Sequence, residues 1–253
     1  ILDHMNRFSE DIDLTVRVNS NESNNSNKIR LKKSALDYKI KELELIEEET
    51  IDKKGSITSF YKYNSLFNLN ELFKSEKIQI ESTSFTVSEP VSTYTIEPLI
   101  YKYASENEKK ILEQKFNISK FNIKIIKLER IFVDKIFAAE FYYERKMYQD
   151  VAKHLYDISI MFKNENIKKL LKNKQELIKL INYKRKEEEL RIGGISNTKK
   201  IIDFDYMKLN FDDDMIKAFN KMQNIYVLDE KSIITIDEVE NTIKMLINVL
   251  KNI

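Results

Sequence analysis

The chain has 253 residues, 42% of them hydrophobic and 33% charged, which allows a buried core and argues against wholesale disorder. It has no Cys, two His (His4 and His154) and three Gly (Gly55, Gly193 and Gly194). That excludes disulfides, thiolate metal sites, a Cys nucleophile, a three-His metal centre and a Gly-rich phosphate loop of the Walker or dinucleotide type. Basic and acidic residues nearly balance, 43 against 41, for a net charge of +2, so a dedicated nucleic-acid-coating protein is not indicated. No apolar run approaches the ~18 residues of a membrane span, and no signal peptide is visible, so a cytoplasmic protein is expected.

In chain order, residues 11–18 alternate strictly and predict a strand. Ile12, Leu14, Val16 and Val18 fall on one face, and Asp11, Asp13, Thr15 and Arg17 on the other. The polar run 19–28 reads as a mobile loop, followed by a charged helix near 30–47. Segments 57–63, 77–86 and 91–97 have strand composition. A short helix at about 105–116 leads to a strand at 121–127. From Leu128 the pattern becomes helical: 128–145, 148–163 and 165–190, a break at Gly193–Gly194, then 212–226 and 235–251. Thr235 or Asp237 would cap the last helix. The expected fold class is α+β, with an α/β unit over residues 1–127 and an all-helical unit over 128–253.

Asp11 and Asp13 are the sharpest chemical feature. Two apart on a strand, their carboxylates project from one face, and their repulsion is relieved when a cation sits between them. An oxygen-only donor pair suits Mg²⁺, which also takes phosphate oxygens and water. On spacing alone, an exposed edge strand with two solvated carboxylates explains the pair as well.

The run Arg7-Phe8-Ser9-Glu10-Asp11-Ile12-Asp13-Leu14 resembles the Arg-Phe-Ser-x-Asp-Ile-Asp-Leu signature of the AbiEii toxin family of nucleotidyltransferases, within the polymerase-β-like nucleotidyltransferase superfamily. Glu129-Arg130-Ile131-Phe132-Val133-Asp134-Lys135-Ile136-Phe137-Ala138 is similar to that family's Glu-Arg-Thr-Phe-x-Glu-Lys-Leu-x-Ala helix. Lys153-His154-Leu155-Tyr156-Asp157-Ile158 is similar to its Arg-His-Tyr-Tyr-Asp-Leu helix, and Phe204-Asp205-Tyr206-Met207 to its Asp-Tyr-x-x-Met region. The superfamily also places a Gly-Gly/Ser loop before the Asp-x-Asp strand. Here ten residues precede Asp11, none of them Gly, so either the loop lies upstream of Ile1, which the non-Met start favours, or this copy has lost it.

The resemblance implies an enzyme that transfers a nucleotide from an NTP to an acceptor hydroxyl, on a tRNA 3′ end or a protein. It implies Asp11 and Asp13 as ligands of Mg²⁺ or Mn²⁺ and Glu81 as a third carboxylate, with Glu97 a weaker competitor. Lys135 would grip the triphosphate, Asp157 would orient Lys135, and Ser9 and Arg7 would shape the nucleotide pocket. Each has a plainer alternative. Lys135 sits at the margin of an apolar helix face, as a snorkelling lysine would. Asp157 has Lys153 four residues before it as an ordinary helical partner. Glu81 fits an exposed strand position, and Arg7 a surface charge. Asp150, His154 and Asp157 form one helical stripe, in which His154 is expected to hydrogen-bond and position Asp157 or the backbone. A cognate antitoxin within a toxin–antitoxin or abortive-infection system is the implied protein partner. The competing reading is a catalytically degenerate nucleotide- or RNA-binding member of the same fold.

Overall fold

The computed structural model describes residues 6–9, 11–17, 21–65, 76–84, 89–191, 193–227 and 229–252. Strand β1 (Asp11–Thr15) precedes helix α1 (Asn24–Leu36). Strands β2 (Glu44–Leu45), β3 (Ile51–Lys53), β4 (Ser56–Lys62) and β5 (Lys77–Thr83) follow. Strand β6 (Val91–Ile96), helices α2 (Leu99–Tyr103) and α3 (Glu106–Phe116) and strand β7 (Phe121–Ile126) come next. The remainder is helical: α4 (Leu128–Tyr143), α5 (Tyr148–Phe162), α6 (Glu165–Lys172), α7 (Lys174–Leu190), α8 (Asp213–Tyr226) and α9 (Ile236–Leu250). The architecture is the expected α+β.

The main sheet runs β1-β5-β4-β2, with β3 also paired to β4. β1 is parallel to β5, and the other pairings are antiparallel. β6 and β7 form a separate antiparallel ribbon. One small apolar cluster, Val16, Leu31, Ala35 and Ile57, joins α1 to the sheet. The large core lies wholly between Leu128 and Leu250 and is built from the helices and the turns that link them.

The expected helix near 30–47 is displaced. α1 begins at Asn24, inside the polar run read as a loop, because Ser23 caps it by accepting the Ser26 N–H at 3.1 Å. It ends at Leu36, where Ser59 and Tyr61 of β4 donate their hydroxyls to the Ala35 carbonyl at 2.8 and 2.9 Å. Those bonds satisfy an acceptor that a longer helix would have used itself. Residues beyond it are drawn to the edge of β4 as β2 and to a 3₁₀ turn at Glu47–Glu49.

The single helix expected over 165–190 is two. Asn173 closes α6 with its N–H on the Leu170 carbonyl, and its side chain accepts the Glu176 N–H at 3.2 Å to open α7. The break lets Ile167 and Leu170 on one segment and Leu177 and Leu180 on the next reach the same core. The apolar face of β1 is also less buried than alternation implies. Val16 is buried, but Ile12 is 48% exposed, because the cluster formed with α1 takes only the Val16 end of the strand. Val18 and residues 85–86 lie outside the described residues.

The expected break at Gly193–Gly194 is a tight turn after α7. A Cβ at Gly194 would lie 2.1 Å from the Glu188 carbonyl oxygen, a contact that forces the backbone to shift. Gly194→Ala is therefore expected to cost about 1–3 kcal/mol, the range for overpacked sites, as read by urea denaturation. An unchanged midpoint would show that the turn relaxes freely.

Candidate active site

The parallel register of β1 and β5 sets Asp11 opposite Gln79 and Asp13 opposite Glu81. Residues paired this way point to the same face of a sheet, so Asp11, Asp13, Gln79 and Glu81 share one. The Ser9 hydroxyl donates to the Asp11 carboxylate at 2.7 Å, and the Gln79 amide donates to Glu81 at 2.6 Å. The three carboxylates do not close into one tight set. Among the described residues, oxygens that all lie within 4.8 Å of one another belong instead to Glu140, Glu144 and Asp205. That triad already holds a cation, since the Lys199 ammonium bonds to all three carboxylates, at 2.9 Å from Glu144 and 2.8 Å from Asp205. Glu140 also accepts the Asp205 backbone N–H, so this cluster ties α4 to the turn at 205–208.

The electrostatics of the sheet face are different. Asp13 is exposed by surface area, yet neighbouring groups crowd its carboxyl, which is pushed up to about 6. Desolvation is the first cause and the charges of Asp11 and Glu81 add to it, while Lys135 acts in the opposite direction. Glu81 is also raised, first by desolvation and further by Asp11, with the Gln79 hydrogen bond and Arg191 opposing. Negative charge has been gathered here without a matching number of cations.

Lys135 comes from α4 and Asp157 from α5, two helices packed side by side. The Lys135 ammonium is 3.1 Å from Asp157 Oδ2, with the lysine side chain 20% exposed and the aspartate fully buried. The cross-helix pairing inferred for these two residues is therefore present. The intrahelical alternative is not the arrangement adopted, because Lys153 lies over the Tyr226 ring, 4.7 Å from its centroid.

Arg7 is the main surprise. It is not a surface charge. Its Nε and Nη2 donate to the two oxygens of Asp157 at 2.6 and 2.7 Å, and its Nη1 donates to the Phe8 carbonyl at 2.9 Å. Burial alone would lower its pKa, but the Asp157 bonds reverse the sign and raise it. The Phe8 N–H donates to the Tyr226 carbonyl at 2.8 Å and ties the same segment to α8. No sequence spacing links Arg7 to a residue 150 positions away; the only available signal was its place in the Asp-x-Asp run.

With both Asp157 oxygens engaged by Arg7 and Lys135, His154 does not position that carboxylate. Its ring stacks on Tyr142, with centroids 5.3 Å apart and planes at 21°, and among the described residues its Nδ1 has no hydrogen-bond partner. Burial and the surrounding cations hold its pKa well below the usual value, so it is a neutral imidazole. Tyr142 and Arg191 also border this region and carried no motif that would have marked them. Glu97 is engaged elsewhere, 3.2 Å from the Lys120 ammonium.

The model of the AbiEii family, described as a nucleotidyl transferase toxin of a type IV toxin–antitoxin system, matches residues 1–230. The chain belongs to that family. The match runs from the segment carrying Arg7 through α8, so it takes in the sheet face and the helix pair that meet at Asp157. Nothing matches among curated proteins or among solved structures. As an AbiEii member, the chain is a nucleotidyltransferase toxin. Among its described residues, no helix is long and apolar enough to cross a membrane.

Two expectations follow for this AbiEii site. Removing one partner of a buried ion pair strands the other, at about 3–5 kcal/mol. Asp157→Ala should lose that amount in urea denaturation because it leaves Arg7 buried and unpaired, whereas Lys135→Ala, which keeps the Arg7 pair, should lose clearly less. Equal losses would mean that Arg7 finds another partner.

The second concerns pH. Asp13 titrates at 3.8 when unperturbed and at about 6 in the fold, so between those values the folded state holds more protons than the unfolded one. Its contribution then falls as pH rises through that window. Asp13→Asn should stabilise the metal-free protein above the window and have little effect at its lower edge. A gain of the same size at both pH values would show that the mutation acts through packing instead of charge.

Proposed function

We propose that this toxin transfers a nucleoside monophosphate from an NTP to an acceptor hydroxyl, releasing pyrophosphate. The reading is carried by one observation. The β1–β5 register puts Asp11, Asp13 and Glu81 on a common face, and Lys135, held by Asp157, acts electrostatically on that same Asp13.

The donor set fits a hard divalent cation, Mg²⁺ or Mn²⁺: it is oxygen-only, and its like charges already raise Asp13. Asp11 and Asp13 would hold the ion, with Glu81 completing the set. When bound, the ion supplies charge neutralisation and Lewis-acid polarisation of phosphate oxygens. Lys135 contributes a fixed positive charge for the triphosphate. Asp157 and Arg7 fix where that charge stands, so little reorganisation is needed as negative charge develops. Ser9 orients Asp11. Desolvation holds the Glu81 carboxyl above its usual range, which makes its carboxylate a stronger base for the proton of the attacking hydroxyl.

In this reading the unit over residues 1–127 supplies the carboxylates and the unit over 128–253 supplies Lys135 and Asp157. The acceptor is a tRNA 3′ end, with a protein hydroxyl as the competitor. The partner is a cognate antitoxin, and the setting is the cytoplasm.

The test incubates the protein, extended at its N-terminus by its native upstream residues where they exist, with Mg²⁺, each α-phosphate-labelled NTP and bulk tRNA or lysate. Label transferred by wild type, and lost with Asp11→Ala and Lys135→Ala, is the expected result. Nucleotide binding without any transfer would favour the non-catalytic binding reading.

A further inference from the structure

Arg191 caps the C-terminus of α7 and begins the tight turn that ends at Gly194. Its guanidinium lies 3.5 Å from the centre of the Phe141 ring, and that of Arg145 lies 3.6 Å from the same centre. Two guanidinium groups at that distance cannot share one ring face, so Phe141 is a slab between them. Arg145 is committed to structure, donating to the Phe141 and Gly193 carbonyls at 2.6 Å each.

Arg191 is not committed in this way. Its charge lies close enough to Tyr142 to oppose the rise that burial gives that phenol. Among the described residues its ion pair is with Glu188 at 3.9 Å, beyond hydrogen-bonding reach. That carboxylate is already engaged, lying 2.8 Å from the Lys184 ammonium and accepting the Ile195 N–H at 3.0 Å. A guanidinium has five donors. Here it lies over an aromatic ring with its side chain 30% exposed.

Its position relates it to the proposed site. Lys135 and Tyr142 are seven residues apart on α4 and therefore on one face, and His154 and Asp157 are three apart on α5. The α4–α5 seam carries the Lys135–Asp157 pair as one rung and the Tyr142–His154 stack as the next, with Arg191 beyond it. Seven helical residues span roughly 10 Å. Lys135 acts on Asp13, and Arg191 acts on Glu81, which stands directly opposite Asp13 in the β1–β5 register, so both cations face the carboxylate side.

We propose that Arg191 binds a backbone phosphate of a polynucleotide acceptor, at the end of the seam away from Lys135. A planar guanidinium fixed by stacking grips phosphate through two parallel hydrogen bonds. The spacing sets this phosphate apart from the triphosphate that Lys135 would hold. The proposal rests on the nucleotidyltransferase reading given above and names the side on which the acceptor enters.

The experiment measures binding of bulk tRNA over a range of salt concentrations, and binding of each Mg·NTP, for wild type, R191Q, R191K and Lys135→Ala. R191Q is expected to weaken tRNA binding about tenfold and to flatten the log K against log salt slope by about one, while NTP binding stays unchanged. R191K should keep the slope and recover part of the affinity. A purely structural Arg191 would not alter the salt slope, and thermal unfolding of each variant is read alongside. Weakened NTP binding with unchanged tRNA binding would overturn the proposal by assigning the phosphate to the nucleotide. Unchanged binding of both would overturn it as well. Wild type that binds NTP but no tRNA would overturn the polynucleotide acceptor and leave the nucleotidyltransferase reading intact. Wild type that binds neither would overturn both.

Discussion

The structure turns on one carboxylate. Asp157 is fully buried and accepts a two-pronged bond from Arg7 and a third contact from Lys135. Desolvating three charged groups is costly, and the arrangement persists only because each has a partner at good geometry. Its consequence is positional. Arg7 stands four residues before Asp11, so anchoring Arg7 in the helical half fixes the entry to β1. Lys135 is fixed by the same carboxylate. A cation from the helices and a pair of anions from the sheet are thus referred to a single point, and the Phe8–Tyr226 backbone bond adds a second tie beside it.

The two halves carry opposite kinds of charge environment. In the helical half, buried charges are compensated: Arg130 is fully buried with Asp134 and Glu187, and Glu140 receives Lys199 and two backbone N–H groups. Such networks cost desolvation, which still holds Glu140 above the usual carboxylate range, but each of these buried charges has an opposite partner. On the sheet face, Asp13 and Glu81 are both raised, first by desolvation and then by neighbouring carboxylates. Uncompensated charge in a recess is a ready-made demand for a cationic ligand, and perturbed carboxylates of this kind concentrate at functional sites. The contrast also separates the Glu140–Glu144–Asp205 cluster from the candidate metal ligands: its ammonium is built in.

What the sequence revealed follows from this division. The helical elements α4, α5, α8 and α9 were legible because their apolar faces repeat with the helical period and point at one large core. The α1 region was not. Only Leu31 and Ala35 of that helix are buried, so it has almost no periodic signal, and its limits are set by the Ser23 cap and by β4 hydroxyls distant in sequence. Asp11, Asp13, Lys135 and Asp157 stood out through motif, and the last two could be paired because they lie on consecutive helices. Arg7 and Arg191 could not be placed. The first acts across 150 residues, and the second depends on a turn whose position is dictated by a backbone contact at Gly194. Local pattern encodes which face a residue takes, but not which distant residue shares that face.

That division bears on how the site is held together. Among the described residues, the apolar cluster between α1 and the sheet has four buried members, against thirty in the helical cluster. At about 1.5–3 kcal/mol for each fully buried large side chain, most of the hydrophobic stabilisation lies after residue 127. The carboxylate face is therefore built on the weaker part of the molecule, at the edge strand β1, where Ile12 stays half exposed. A strand with so little burial and two repelling aspartates needs external support, and it has two kinds. The ladder to β5 fixes which side its aspartates face. The Arg7–Asp157 pair then borrows rigidity from the helices for the segment that leads into it. The charge repulsion on β1 and the buried ion pair behind it are for this reason parts of one arrangement: the first favours a cation at the carboxylates, and the second holds the segment that leads into the strand against that repulsion.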